Sequence, residues 1–449
     1  MSTVLAIAPH FPSLSESRDG QANYLTQVVP ALAKVGRVEI QIIALQIGKQ
    51  PLEESGEGWS VKRVSTSESL ETVFDLYLPR HLKTAVRVLT QAAVDTAQRL
   101  GKDTPVWCHG YETGEVVQML TQSGHHVVAV PHYSVGVETL HDLALGDDRV
   151  RREAFDSPWA TRLSRLWPRK ARSVGVRMAS RVGPVAQYLP APSSIQTQFT
   201  KLNLERLMVA NASKLVAVGP SFETELNHVY PCTVGRSTSV IAGSPEPSTE
   251  PSWPAKVSDN KLRVAMIGRP TGQKGWDYAA EAIGQLKPEH ASKLEVALIG
   301  GLGAGNGPYS SYSTRVAEAF SKLNTPEIFN LGERPHGEVL SHLAAADLLL
   351  FPSVFEPLGL VLLEAMTAKC CVLASDAAGP SDLLESPWGT LMSFRDPEQR
   401  VREIRDGLAS FLDLDRASLE RRKVAAGVAG QAHTWEGCAR VHLDALMRR

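Results

Sequence analysis

Glu356 and Glu364 stand with seven residues between them in FPSVFEPLGLVLLEAM, residues 351–366. Glu356 follows an apolar run and sits among proline and glycine, which places it in a loop just past a strand. Glu364 falls about one turn into the helix that follows. The helix start at Leu358, Gly359 and Leu360 offers unpaired N–H groups to an anion or to sugar hydroxyls. Gly359 lets the backbone approach a ligand closely. A carboxylate at Glu364 can accept hydrogen bonds from a vicinal diol such as a ribose. Glutamates near helix starts also cap and favour the dipole. The complete loop–helix pattern asks for more than capping.

Upstream, IGRPTGQKG (residues 267–275) ends a strand in a loop that carries Arg269 and Lys274. Loop cations are usually solvated. Beyond the carboxyl end of a parallel strand they can neutralise a diphosphate, and arginine can grip two oxygens at once.

These groups need parallel strands to hold them. Val4–Ala8, Val38–Leu45, Val106–Cys108, Val127–Val130 and Lys214–Val218 read as buried strands, with Tyr24–Val35, His81–Leu100 and Gly114–Thr121 as helices between them. A proline-rich stretch, GSPEPSTEPSWP (243–254), precludes helix or central strand. The pattern then restarts: strand Leu262–Ile267, helix Gly275–Leu286, strand Leu294–Ile299, helix His336–Ala345, strand Asp347–Phe351, helix Leu360–Thr367, closing strand Val372–Ser375. The order predicts an α/β protein of two Rossmann-like domains with parallel sheets. The expected division is residues 1–242, a linker at 243–260, a second domain at 261–430 and a final helix at 431–449.

The length of 449 residues also favours two cores over one. A formal net charge of -1 argues against nucleic acid as the main partner. The five cysteines, Cys108, Cys232, Cys370, Cys371 and Cys438, show no Cys-x-x-Cys spacing, which points to a reducing compartment and no zinc site. The N-terminus has no basic region before its short apolar run, and no window spans a bilayer. A cytoplasmic protein is expected. Residues 142–198 carry ten arginines and lysines from Arg149 to Arg181, with Trp159 and Trp167 among them. The plain reading is a solvated insertion on the N-terminal domain; the functional ones are an acceptor-side lid or a peripheral membrane patch.

With these motifs the sequence resembles the retaining family 4 glycosyltransferases of GT-B fold, over most of the chain. SRDGQANY (17–24) is similar to the family's N-terminal glycine loop, Gly268-Arg269 with Lys274-Gly275 to its phosphate-binding pair, and residues 346–364 to its signature segment. TWE (434–436) is similar to the start of the last helix, which in this family crosses back to the N-terminal domain. The sequence departs from the family at Lys369, where glycine is usual, at Cys371, where proline is usual, at Ala377-Ala378-Gly379, where a double glycine is usual, and at Asp19-Gly20.

Two histidines each follow a strand, His109 in WCHGYETG (107–114) and His132 in VPHYS (130–134). Such a residue is more often structural than catalytic. By resemblance to sucrose synthases and sucrose-phosphate synthases, His132 touches the donor sugar near its reacting carbon, while His109 and Tyr111 lie on the acceptor side. The resemblance further implies sugar transfer from a nucleoside-diphosphate sugar to a small molecule, with retention, no cofactor and no metal. Gly20, Gly300 and Arg334 join Arg269, Lys274, Glu356, Leu358, Gly359, Leu360 and Glu364 on the donor. A sugar-nucleotide epimerase of the same fold and a non-catalytic sugar-nucleotide-binding protein stay open, as does a thiol in place of a hydroxyl as nucleophile.

Overall fold

The computed structural model describes residues 2–12, 20–138, 193–255, 260–303, 310–323 and 326–448. Nearly all of the basic stretch 142–198, and the start of the glycine loop at 17–19, lie outside the described residues. The chain forms two compact units. One takes the described residues up to Gly243 together with those from Thr434; the other takes Ser244–His433.

The first unit contains β1 (Thr3–Ile7), α1 (Gly20–Gly36), β2 (Glu39–Leu45), β3 (Glu53–Gly56), β4 (Trp59–Val64), α2 (Pro79–Leu100), β5 (Val106–His109), α3 (Gly114–Gln122), β6 (Val127–Val130), α4 (Ser193–Asn211), β7 (Lys214–Ala217), α5 (Pro220–Val229) and β8 (Ser237–Ser239). Its sheet runs β3-β4-β2-β1-β5-β6-β7-β8. The strands β5 and β6 are buried at every position, as strands covered on both faces must be. The strand–helix order predicted a parallel sheet, and one pair departs from it. β3 pairs antiparallel with β4, Glu53 opposite Lys62. The sequence EESG of β3 is almost wholly exposed, so it lacks the apolar signature that reveals a strand, and its charges protect an open edge.

The second unit contains β9 (Leu262–Ile267), α6 (Trp276–Gly284), β10 (Leu294–Ile299), α7 (Ser310–Ser321), β11 (Glu327–Gly332), α8 (His336–Ala345), β12 (Leu348–Phe351), α9 (Leu360–Thr367), β13 (Cys371–Ser375), β14 (Gly389–Met392), α10 (Arg400–Leu412) and α11 (Arg416–Gln431). Its sheet is parallel throughout, in the order β11-β10-β9-β12-β13-β14. The series does not close at β13: β14 lies outside it, Val372 opposite Gly389. β11 and β14 are edge strands whose residues are mostly half-exposed, which is why their sequences carry little strand signal.

At the N-terminal end of β12, Asp347 is fully buried and gathers three cations. Arg263 donates to both carboxylate oxygens at 3.0 Å, Lys423 lies at 2.9 Å and Arg416 at 3.2 Å. Burial alone pushes such a carboxyl up, yet the hydrogen bonds and charges of Arg263 and Lys423 outweigh it and hold Asp347 below the usual aspartate range. This cluster ties β9, β12 and α11 at the end of the sheet opposite the strands' carboxyl ends.

The departures at Lys369 and Ala378 have a backbone meaning. Lys369 ends α9 with φ 58°, its N–H bonded to Met366 O, while Cys370 N–H bonds to Ala365 O. This is a left-handed helix stop that favours glycine. Ala378 also has a positive φ of 59°.

The last helix, α12 (Trp435–Met447), belongs to the first unit. Thr434 caps it by accepting the Gly437 N–H at 3.1 Å. It packs on α1, where Tyr24 Oη lies 2.5 Å from His442 Nε2 and 3.2 Å from Cys438 Sγ. Among the described residues no helix is long and apolar enough to cross a membrane.

Candidate active site

In the second unit the strand order reverses between β9 and β12, which are neighbours although β10 and β11 intervene in sequence. An open parallel sheet offers a ligand crevice outside the carboxyl ends at such a point. The loops leaving β9 and β12 are stitched together there. Val354 N–H donates to Gln273 O at 2.7 Å, and the Gln273 side chain donates to Phe355 O at 3.0 Å. Gly275 has φ 65°, and a Cβ on it would lie 2.1 Å from Pro352 O, so only glycine lets the two loops press together.

This stitching fixes Lys274. Its ammonium lies 5.1 Å from the centre of the Phe351 ring and forms an ion pair with Glu356. The two side chains retain 20% and 15% of their exposure, so the pair is sheltered but open to a ligand. Glu356 is held from behind: Gly379 N–H donates to its carbonyl at 2.9 Å, and a Cβ on Gly379 would meet Leu358 Cα at 2.4 Å. Leu358 and Gly359 are buried, and Gly359 takes φ 84° as α9 begins at Leu360.

Glu364, on α9, is 8% exposed. His336, the first residue of α8 after β11, places Nε2 3.0 Å from its carboxylate. The sequence offered His336 only as the first residue of a helix. The contact depends on α8 lying against α9, which spacing does not reveal. Gly300 has φ 147°, and a Cβ there would lie 1.8 Å from Gly268 O. The backbones at the ends of β9 and β10 therefore meet closely, leaving main-chain groups as the available contacts. Arg269 is exposed on the β9 loop. Arg334 is exposed as well, its Nε 3.7 Å from Glu338. Thus Arg269, Lys274, Gly300, Glu356, Gly359 and Glu364 all come from the carboxyl-end side of adjacent strands.

In the first unit His109 ends β5 and His132 follows the adjacent β6. Their rings stack at 18° with centroids 5.2 Å apart, and His109 Nδ1 lies 2.9 Å from His132 Nε2. His109 has no exposed surface, whereas His132 is half-buried. Below them Trp107 stands 4.2 Å from His109 and 5.0 Å from His442. Burial, then the nearby His132 and His442, hold His109 well below the ordinary histidine range; burial and His132 bring His442 down to about 3. Tyr111 is buried in a short helical turn after β5. Gly20 is exposed at the first position of α1, and among the described residues nothing lies within 4 Å of where a Cβ would stand.

The segment after His132 is anchored by a residue the sequence did not single out. Glu205, on α4, is fully buried and accepts hydrogen bonds from the Ser134 hydroxyl, from Val135 N–H at 2.6 Å and from Gly136 N–H at 3.2 Å. Burial pushes its carboxyl up to about 7 despite those bonds.

Residues 249–422 match the family model of glycosyl transferases group 1. The chain carries a glycosyl transferases group 1 domain. The second-unit residues expected on a donor, from Arg269 to Glu364, fall inside the matched segment, whereas Gly20, His109, Tyr111 and His132 fall outside it. An alpha-maltose-1-phosphate synthase of Mycobacterium tuberculosis is 30% identical over 203 residues, 42% of this chain and 51% of the relative. The chain thus spans about half the length of that curated relative. The chain shares the GT-B fold, two α/β units built on largely parallel sheets, with two solved structures. Sucrose-phosphate synthase from Thermosynechococcus elongatus gives a TM-score of 0.70 at 17% identity, over 99% of this chain and 98% of the other. HepE from Anabaena, in complex with UDP and glucose, gives 0.60 at 14% identity, over 99% of each chain.

Proposed function

We propose that the chain is a glycosyltransferase that moves a sugar from a nucleoside-diphosphate sugar to a small-molecule acceptor, keeping the anomeric configuration and using no metal. The observation that carries this reading is the Lys274–Glu356 ion pair at the point where the strand order reverses. Within a glycosyl transferases group 1 domain, the pair holds a cation and a carboxylate ready before the donor arrives. The UDP and glucose held by the HepE structure, a neighbour in fold, supply the ligand class.

On donor binding, Lys274 exchanges Glu356 for the diphosphate and Glu356 turns to the sugar hydroxyls. Arg269 adds a second cation. As the C1–O bond breaks, negative charge grows on the leaving phosphate oxygen, and both cations act more strongly on the transition state than on the ground state. Glu364, steadied by His336, accepts from the ribose diol. Gly300 and the loop carrying Arg334 meet the base. Leu358, Gly359 and Leu360 present main-chain N–H groups at the start of α9. His132 serves the reacting end of the sugar, and His109 and Tyr111 support it on the acceptor side. The acceptor attacks the face the diphosphate leaves, and the departing phosphate oxygen takes its proton, so no separate base is required. Gly20, at the start of α1, completes the donor contacts.

The test begins with a thermal-shift panel of nucleoside-diphosphate sugars on the purified chain, since a ligand that binds only the native state raises the unfolding temperature. The best donor is then assayed with candidate hydroxyl and thiol acceptors, with and without EDTA. Transfer that survives EDTA and yields the donor's own anomer supports the reading. A new sugar nucleotide released without acceptor would mark an epimerase. Stabilisation with no turnover would mark a binding protein.

A further inference from the structure

His109 and His132 form a hydrogen bond in which one ring must donate and the other accept, and their surroundings decide which. His109 Nδ1 lies 2.9 Å from His132 Nε2. The other nitrogen of His109, Nε2, is buried without a hydrogen-bond partner among the described residues. It lies in a fully enclosed ring set against Trp107. Each neutral imidazole carries one hydrogen. If His132 donated, the hydrogen of His109 would sit on Nε2 as an orphaned buried N–H. If His109 donates through Nδ1, only a lone pair is left unpaired there. Orphaned buried N–H groups are the rarer and costlier case.

We infer that His109 is a positioning residue that donates from Nδ1 to His132 Nε2 and thereby locks His132 in the tautomer bearing its hydrogen on Nδ1. In that tautomer the Nε2 lone pair of His132 is taken by His109 and its Nδ1 carries hydrogen, so the ring has no lone pair to spare as a base. Neutrality of His109 follows from its enclosure and from the neighbouring His132 and His442 rings, which disfavour a charge there. The stack at 18° and the edge of Tyr24, 4.9 Å from His132, leave that ring little freedom to flip. The inference rests on the glycosyltransferase reading only for what His132 serves; the tautomer stands on the geometry alone.

Nitrogen-15 NMR of the full chain labelled at histidine tests it, because long-range proton–nitrogen correlations report which ring nitrogen carries hydrogen. His132→Gln identifies the His132 signals by their loss. The expected pattern is protonated Nδ1 on His132. Protonated Nε2 on His132 would overturn the inference whatever the activity. His109→Asn, whose amide can stand in for the Nδ1–H, should keep the pattern, while His109→Leu should mix the tautomers and lower kcat roughly tenfold with donor KM little changed. A folded His109→Leu that keeps a single tautomer would equally refute it. If the tautomer is as inferred but no donor is turned over, the functional reading fails and this one survives.

Discussion

Lys274 and Glu356, 82 positions apart in sequence, form an ion pair at the carboxyl ends of the adjacent strands β9 and β12. Each side chain holds the other's charge in place. Removing one leaves the other partly buried and uncompensated. Lys274→Ala should lower transfer by at least ~100-fold, the scale of a lost preorganised charge. Glu356→Gln should cost kcat more than donor KM. Steady-state kinetics checks both, and wild-type rates in either would sink the site.

His336 holds Glu364 at 3.0 Å from a different helix. His336→Ala should leave the carboxylate free to turn away from the ribose. Donor KM should then rise by roughly three- to tenfold, the range of one hydrogen bond, with kcat little altered. Isothermal titration with the nucleoside diphosphate alone would read the same loss. An unchanged dissociation constant would remove His336 from the donor site.

Lys369 ends α9 in a left-handed conformation, φ 58°. A non-glycine residue there costs about 1–2 kcal/mol, offset in part by glycine's larger entropy in the unfolded chain. Lys369→Gly should therefore stabilise the chain by up to about 1 kcal/mol, seen as a higher urea midpoint. A lower midpoint would show that the contact of the lysine stem with Gly427 matters more.

Asp347 has no exposed surface and balances Arg263, Arg416 and Lys423. Asp347→Asn would strand buried cations, at a cost of about 3–5 kcal/mol. Urea unfolding should show the loss, while donor contacts at the other end of the strands should be spared in whatever fraction stays folded.

Protonation pulls stability in two directions. His109 and His442 stay neutral when folded, so the unfolded chain gains protons that the native state refuses, and stability falls as pH drops below the ordinary histidine value of 6.5. Glu205 has the opposite sign: its native value of about 7 exceeds the ordinary 4.5, so the native state takes up a proton first and gains stability as pH falls between those values. Glu205→Gln removes the second effect. Relative to wild type it should be more stable at pH 8 than at pH 5, by a difference on the order of 3 kcal/mol or less. Equal differences at both pH values would show that Glu205 titrates normally.

The inner strands of the second unit were legible because β9, β10, β12 and β13 are short, mostly apolar and almost wholly buried runs, as doubly covered parallel strands must be. The loops with Arg269, Lys274 and Glu356 were legible because glycine and proline mark where such strands stop. The edge strands β3, β11 and β14 escaped notice, since a strand half in water has no apolar run to show.

By itself, then, the sequence determined which residues could carry charge and where the chain turns, because those depend on residue type and near neighbours. Only the tertiary structure decided the pairings. That Lys274 meets Glu356, that His336 reaches Glu364, that Glu205 anchors the turn after His132 and that His109 lies sealed beneath His132 all follow from strand order and helix packing. Contacts between elements far apart in the chain leave no period in the sequence, so their partners appear only once the sheets are assembled.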